Sequence, residues 1–249
     1  LPVTVPYSVN GTSTALNPTD YTITASPLVI AAGSTTASFV ISIVPDLIDE
    51  GASENVIVDI TVGGLVNAIA GATLTHTATI DDDDGLPTVQ FTAAAQNSGG
   101  VESGTMTITA QLSAASGLPV TVPYTVNGAS TAVNPTDYTI TASPMIIAAG
   151  STTASMVIFI VPDIIDEGAS ENVIVDITVG GLVNATAGAT LTHTATIDDD
   201  DAQPSVQFTV ASQNSGGVES GTMTITAQLS AASGLPVTVP YTVNGASTA

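Results

Sequence analysis

Residues 118–141 read LPVTVPYTVNGASTAVNPTDYTIT. Val120, Val122, Tyr124 and Val126 alternate with Thr121, Pro123 and Thr125. A period of two is that of a strand with one buried face, because successive side chains on a strand point to opposite faces. Asn127-Gly128 follows as a turn pair that tolerates positive φ. Tyr138-Thr139-Ile140-Thr141 makes the next short strand. Pro123 interrupts the first one. With no N–H to give to a ladder, it predicts an edge position.

The same stretch recurs. LPVTVPYSVNGTSTALNPTDYTIT begins at Leu1 and LPVTVPYTVNGASTA at Leu235, so the copies are spaced by 117 residues. Residues 1–117 and 118–234 differ at 14 positions, most of them mild, such as Leu47 against Ile164. A period this long is a whole domain per repeat, not a solenoid unit. The domain frame is offset from the repeat frame. Asp81–Asp84 is followed by Gly85-Leu86-Pro87, and Asp198–Asp201 by Ala202-Gln203-Pro204. Proline after a charge run and before a new strand reads as a short, stiff junction. Residues 87–201 are then one complete domain, 1–84 a domain lacking its first two strands, and 204–249 the opening of a third. Such cuts leave unpaired edges and an open core. The chain is expected to be a window on a longer repetitive polypeptide. The alternative is that neighbouring subunits complete each other by strand exchange.

Within 87–201 the pattern predicts about seven strands. Val89, Phe91 and Ala93 alternate in the first; Met106, Ile108, Ala110 and Leu112 in the second; and Val120 to Val126 form the third. The rest are Tyr138–Thr141, Met156–Val161, Val173–Val179 and Leu191–Ile197. Asn97-Ser98-Gly99-Gly100, Ser116-Gly117 and Ala149-Gly150 supply turns. Seven strands in a domain of this size predict an all-β, immunoglobulin-like Greek-key sandwich.

The charge pattern is one-sided. The 249 residues include 22 acids and no Lys or Arg, for a formal net charge of −22. Disorder is not implied, because 44% of residues are hydrophobic and mean hydropathy is +0.45. Without basic residues, binding to nucleic-acid phosphates or to an anionic membrane surface is excluded. No stretch reaches the roughly 20 apolar residues of a membrane span. There are no cysteines, so metal is the available staple for small domains.

Residues 85–201 hold eleven acids. Asp176 alone sits mid-strand, on an expected exposed sheet face. Glu102 and Asp137 each precede a strand. Asp163, Asp166, Glu167 and Glu171 lie in one loop, and Asp198, Asp199, Asp200 and Asp201 follow the last strand. In a Greek-key sandwich these loops converge at the pole where the chain leaves. A cluster of hard oxygen donors suits Ca²⁺, which takes six to eight oxygens; Mg²⁺ keeps waters and wants fewer carboxylates. Zinc is poorly served, with no Cys and one His per repeat. The spacing is not that of an EF-hand loop.

The combination resembles the Calx-beta domain family. Val101-Glu102-Ser103, Asn127 to Ala132 with Asp137-Tyr138, the loop Asp163 to Glu171, and Ile197-Asp198-Asp199-Asp200 carry the resemblance. Two departures are Pro162, where the family often has a second Asp, and an acidic loop one residue longer. The resemblance implies Ca²⁺ bound by Glu102, Asp137, Asp163, Glu167 and Asp198 to Asp200. The candidates Asp166, Glu171 and Asp201 lie beside these. The first copy offers Asp20, Asp46, Asp49, Glu50, Glu54, Asp81, Asp82, Asp83 and Asp84 but has no counterpart of Glu102. The third copy keeps only Glu219.

His76 and His193, in LTHTATI, are read as structural strand histidines. No His and acid accompany the many Ser and Thr as a triad, and no enzyme activity is expected. The sequons Asn10-Gly11-Thr12 and Asn184-Ala185-Thr186 do not repeat, which is how chance sequons behave. The Thr/Ser-rich faces leave O-linked glycans open. The expected role is a structural repeat of an extracellular, calcium-stabilised rod or filament, with neighbouring identical repeats as partners. The alternatives are the stalk of a calcium-dependent cell-surface adhesin, or a calcium sensor.

Overall fold

The computed structural model describes residues 1–217 and 219–245. Val218 and residues 246–249, which belong to the expected third repeat, lie outside the described residues. The first repeat contributes β1 (Val3–Val5), β2 (Tyr7–Val9), β3 (Tyr21–Ile23), β4 (Leu28–Ile30), β5 (Ile41–Ile43), β6 (Glu54–Ile60) and β7 (Thr75–Ile80). The complete repeat follows with β8 (Thr88–Phe91), β9 (Ala95–Asn97), β10 (Thr105–Leu112), β11 (Val120–Val122), β12 (Tyr124–Val126), β13 (Tyr138–Ile140) and β14 (Met145–Ile147). It ends with β15 (Thr153–Ile160), β16 (Glu171–Ile177), β17 (Thr186–Ala187) and β18 (Thr192–Ile197). The third segment has β19 (Val206–Phe208) and β20 (Ala227–Leu229). No helix among the described residues is long and apolar enough to cross a membrane.

The complete repeat is a two-sheet sandwich, as expected. One sheet has the order β13-β15-β10-β8-β17 and the other β12-β16-β18-β9. The inward-facing residues of both sheets make one core, in which Val89, Phe91, Ile108, Val122, Ile158 and Val175 are fully buried. Each such side chain contributes about 1.5–3 kcal/mol relative to exposure.

The seven expected strands are present, with β9, β14 and β17 in addition. Pro123 divides the third strand. β11 pairs with β14, while β12 forms the edge of its sheet against β16. The edge position read from Pro123 therefore holds, and its carbonyl accepts the Thr178 amide at 2.8 Å.

Several strand limits differ from the sequence reading. The first strand stops at Phe91 rather than Ala93. The small residues Ala93 and Ala94 then carry the chain across to the other sheet, where β9 runs parallel to β18. Asn97, expected in a turn, is the last residue of β9 and stands opposite Thr196. The strand expected at Val173–Val179 ends at Ile177, because Val179–Gly181 closes a 3₁₀ turn through Gly181 N–H to Thr178 O at 3.0 Å. The strand expected over Met156–Val161 runs from Thr153 to Ile160, and Val161 donates its amide to Asp137 O at 2.9 Å.

His193 is buried. Its Nδ1 lies 2.7 Å from the Ala93 carbonyl, and its ring meets Phe91 edge-on. Asp176 is half-buried rather than exposed, and its carboxylate accepts Asn127 Nδ2 at 2.6 Å and Thr192 Oγ1 at 2.7 Å. Both sequon amides are engaged, Asn10 with Asp59 and Asn184 with Pro119 O.

The first repeat keeps a smaller core around Tyr7, Ala15, Tyr21, Val56 and Val58. Its strands form the sheets β1-β4, β3-β5 and β2-β6-β7. Register places the acids of the complete repeat at one end. β10 begins at Thr105, opposite Phe159. β13 begins at Tyr138, opposite Ile160. β16 begins at Glu171, opposite Ile197. Glu102, Asp137, the loop 161–170 and Asp198–Asp201 therefore share a pole.

Candidate metal centre

The closing acids tie this pole together through backbone amides, which stand in for the missing Lys and Arg. Asp198 accepts Gly100 N–H at 2.8 Å and Ser170 Oγ at 2.9 Å. Asp199 Oδ2 accepts Glu167 N–H at 3.2 Å and Gly168 N–H at 2.8 Å, while its Oδ1 accepts Asp201 N–H at 3.1 Å. Asp200 Oδ1 accepts Glu102 N–H at 3.3 Å. Asp163 Oδ1 accepts Ile165 N–H at 2.7 Å, and Asp137 Oδ2 accepts Val133 N–H at 2.5 Å. Three loops far apart in sequence are thereby held against one another, each by a carboxylate accepting N–H donors.

Other carboxylate oxygens at the pole are left over. Glu102 is 3% exposed. Its Oε2, with Glu171 Oε2 and Asp201 Oδ2, is buried without a hydrogen-bond partner among the described residues. Oxygens of Glu102, Asp199 and Asp201 lie within 4.8 Å of one another. Burial raises the Glu102 carboxyl to about 7, helped by the charges of Asp163, Glu167, Asp201 and Asp199. Burial likewise raises Glu171 to about 7, with a hydrogen bond to Asp137 adding to it. Glu167 and Asp201 are raised for the same primary reason, Asp166 being one of the charges acting on Asp201. Unpaired buried carboxylates are costly. A group of them with only oxygen donors, two or more not engaged by N–H, fits a hard divalent cation.

The first repeat repeats this arrangement in part. Asp82 accepts Glu50 N–H at 3.1 Å, Gly51 N–H at 2.9 Å and Asp84 N–H at 3.1 Å. These bonds, that from Asp84 foremost, hold its carboxyl below the usual range. Asp81 accepts Ser53 Oγ and Asp46 accepts Ile48 N–H, both at 2.8 Å. Asp20, Glu50 and Glu54 bring oxygens within 4.8 Å of one another. Burial raises Glu54 to about 7, with Asp20 hydrogen-bonded to it. Asp84 is also raised, by burial first and then by Asp83 and other neighbours. Glu219 is exposed and joins no such group among the described residues.

A Calx-beta domain family profile matches residues 2–84 and 81–201. The chain belongs to the Calx-beta domain family. No curated protein sequence matches it. Among solved structures, the chain is similar to CBD12 from CALX1.2 at 16% identity, covering 78% of this chain and 86% of that one, with a TM-score of 0.36. It is also similar to calcium binding domain CBD12 of CALX1.1 at 17% identity, with the same coverages and a TM-score of 0.35.

The acidic pole of each Calx-beta repeat is also where the next one attaches, a contact not read from the sequence. Asp49 bridges to Ser116, and Gly117 N–H donates to Asp49 O at 2.9 Å. One period later, Asp166 bridges to Ser233, and Gly234 N–H donates to Asp166 O at 3.0 Å. Leu118 packs so closely over Gly51 that a Cβ there would lie 2.5 Å from its Cδ1, and Leu235 covers Gly168 in the same way. Asp49 and Asp166 thus belong to the junction as well as to the pole. The available signal was glycine inside an acidic loop, at positions with φ of 74° and 71°.

Proposed function

We propose that this chain is a structural stretch of an extracellular, calcium-stabilised rod or filament of tandem Calx-beta repeats. The observation that carries the reading is the acidic pole. Its carboxylates are crowded, those of Glu102, Asp137 and Asp166 are buried, some oxygens have no hydrogen-bond donor among the described residues, and the chain contains no Lys or Arg to neutralise them. Ca²⁺ supplies that charge and accepts six to eight oxygens. In the complete repeat Glu102, Asp199 and Asp201 are the first candidates to hold it, with Asp137, Asp163, Glu167 and Glu171 around them. In the first repeat Asp20, Glu50 and Glu54 are the candidates.

The coincidence of pole and junction supports a mechanical role. Mutual repulsion loosens the loop that carries Asp166 and Gly168, and this loop holds the next repeat through Gly234 and Leu235. Neutralising the pole fixes that loop and with it the angle between repeats. Near-identical copies suit a repeated structural unit better than a set of divergent binding sites.

Small-angle scattering with calcium and with EDTA tests this. The expected result is an extended, stiff profile in calcium that becomes flexible or expanded on chelation. The melting temperature should fall as well. Calcium at a hundredfold above its Kd stabilises by about 2.7 kcal/mol, which corresponds to roughly 10–20 °C for a domain of this size. An unchanged stiff profile and melting temperature would sink the reading.

A further inference from the structure

The complete repeat opens and closes on strands that run the same way. β10 begins at Thr105 beside the acidic pole and runs to Leu112, which faces Val89 across an antiparallel ladder. The opening strand β8 therefore starts at the pole opposite the acids. β9 follows it and ends at Asn97, opposite Thr196, at the acidic pole. β17 lies parallel to β8, and β18 lies parallel to β9. The opening segment 87–98 thus runs alongside the closing segment 186–198 from one pole to the other.

Hydrogen bonds join the two segments along that length. Thr186 N–H donates to Pro87 O at 2.9 Å and Phe91 N–H to Thr190 O at 2.8 Å. Thr194 N–H donates to Ala94 O and Ser98 N–H to Thr196 O, both at 2.9 Å. At the acidic end Asp198 N–H donates to Ser98 Oγ at 2.9 Å and Gly100 N–H to Asp198 Oδ2 at 2.8 Å. The approach is close, for a Cβ on Gly188 would lie 2.9 Å from Val89 O.

The chain enters this repeat at Pro87, at the pole opposite the acids, and leaves it at Asp201, at the acidic pole. Tension along the chain draws the opening segment toward the first pole and β18 toward the second. The rungs between the parallel segments run across that pull and share it, so they must fail together. Loaded ends that met at one pole would instead peel the ladder apart a rung at a time.

We propose that the complete repeat is a tension-bearing element, with residues 87–98 and 186–198 forming a shear clamp between the points where the chain enters and leaves. The clamp goes beyond a rod that keeps its shape, and it rests on strand direction rather than on calcium. Calcium adds to it at one place. Glu102 lies on the loop after β9, while Asp199 and Asp201 lie on the run after β18, and their grouped oxygens are within 4.8 Å of one another. A cation held there joins the two loaded segments across the line of shear.

Force spectroscopy tests the clamp through the direction of pull. The chain has no cysteine, so pairs of introduced cysteines fix the handles. Leu86→Cys with Ala202→Cys loads the two segments in shear. Val101→Cys with Ala202→Cys places both handles at the acidic pole and peels β18 from its end. All three positions are exposed. In EDTA the shear pair is expected to need at least about twice the unfolding force of the peeling pair, because shared rungs fail together. Equal forces, or a lower force in shear, overturn the proposal.

A matched pair of serines separates load from stability. Ser98 Oγ and Ser130 Oγ each accept a backbone N–H at 2.9 Å, from Asp198 and from Ile174. Ser98 stands on the clamp, and Ser130 follows β12, off the line of load. With the shear pair at constant force, Ser98→Ala should shorten the folded lifetime at least about fivefold, while Ser130→Ala leaves it within about twofold. Equal shortening overturns the proposal, since it would report stability alone. A longer lifetime in calcium supports the bridge from Glu102 to Asp199 and Asp201. An unchanged lifetime overturns that bridge and the calcium reading behind it, and the comparison in EDTA decides the clamp by itself.

Discussion

Residues 1–84 and 118–201 differ at nine positions, yet the two regions are not the same physical object. Ile160 is 7% exposed and Ile43 is 60% exposed. His193 is buried against Phe91 and the Ala93 carbonyl, while His76 is exposed on the rim of a groove. The complete repeat has Glu102 among its acids, and the first repeat has nothing at that place. One cause accounts for all three contrasts. The segment 87–113 supplies Phe91, Ala93 and Glu102 to the complete repeat, together with the strands β8 and β10. An apolar strand residue is a core residue only when the opposite layer is present. Nearly identical sequence therefore gives a closed core in one region and an open one in the other.

The sharpest way to break this contrast is a pair of truncations. Ile160→Ala is expected to cost about 2–5 kcal/mol, as for other buried isoleucines. Ile43→Ala should stay within about 0.5 kcal/mol. Urea unfolding of both variants checks this, and equal losses would show that the first repeat is closed after all.

Glu102→Gln comes next. It removes a buried oxygen that only the complete repeat possesses. Calcium affinity of that repeat should fall on the order of 10–100-fold, with the first repeat's binding unchanged, in a calorimetric titration. A loss shared by both repeats would mean that the two poles are coupled. The junction offers a smaller effect. Gly168→Ala places a side chain at φ of 71° and 2.5 Å from Leu235 Cδ1, for a local cost of about 1–2 kcal/mol. Limited proteolysis after residue 201 should speed up accordingly, and an unchanged rate would remove this contact from the junction.

The mildest contrast is in pH. Glu102 and Glu171 titrate near 7 in the folded chain, above the ordinary value of about 4.3. The folded state therefore holds more protons than the unfolded one between these values. Their contribution to metal-free stability is fully present below the unfolded value and is lost as pH rises through about 7. The first repeat carries Glu54, also near 7, but no Glu102, so its slope should be the shallower. Urea midpoints at pH 5 and pH 8 in EDTA measure both slopes. Calcium should reverse the trend, because protons compete with it for the same oxygens. A metal-free chain more stable at pH 8 would contradict the burial of Glu102.

Much of the pole was legible in the sequence. Glu102, Asp137, the loop from Asp163 to Glu171 and Asp198–Asp201 all flank strands whose period of two is plain, so the loops had to meet where the strands end. Division of labour among the acids was not legible. Asp198 and Asp199 spend their oxygens on Gly100, Ser170, Glu167, Gly168 and Asp201, while Glu102 keeps one free. A run of four aspartates looks uniform until the amide that each one accepts is known. The crossing from β8 to β9 was also hidden, because Thr92, Ala93 and Ala94 fit a continuing strand as well as a sheet switch. Leu118 lies between the Ser116-Gly117 turn and the strand read from Val120, and nothing local marks it or its repeat Leu235 as a cover for Gly51 or Gly168.

Sequence alone determined the repeat of 117 residues, the alternation that builds sheets rather than helices, and a charge set that only cations from outside can neutralise. These are local or compositional properties, carried by each residue whatever surrounds it. Tertiary structure alone decided which copy of an isoleucine is buried, which carboxylate oxygen lacks a donor, and which loop holds the next repeat. Burial, desolvation and charge repulsion act through space, and here the deciding neighbours come from segments up to about a hundred residues away in the chain.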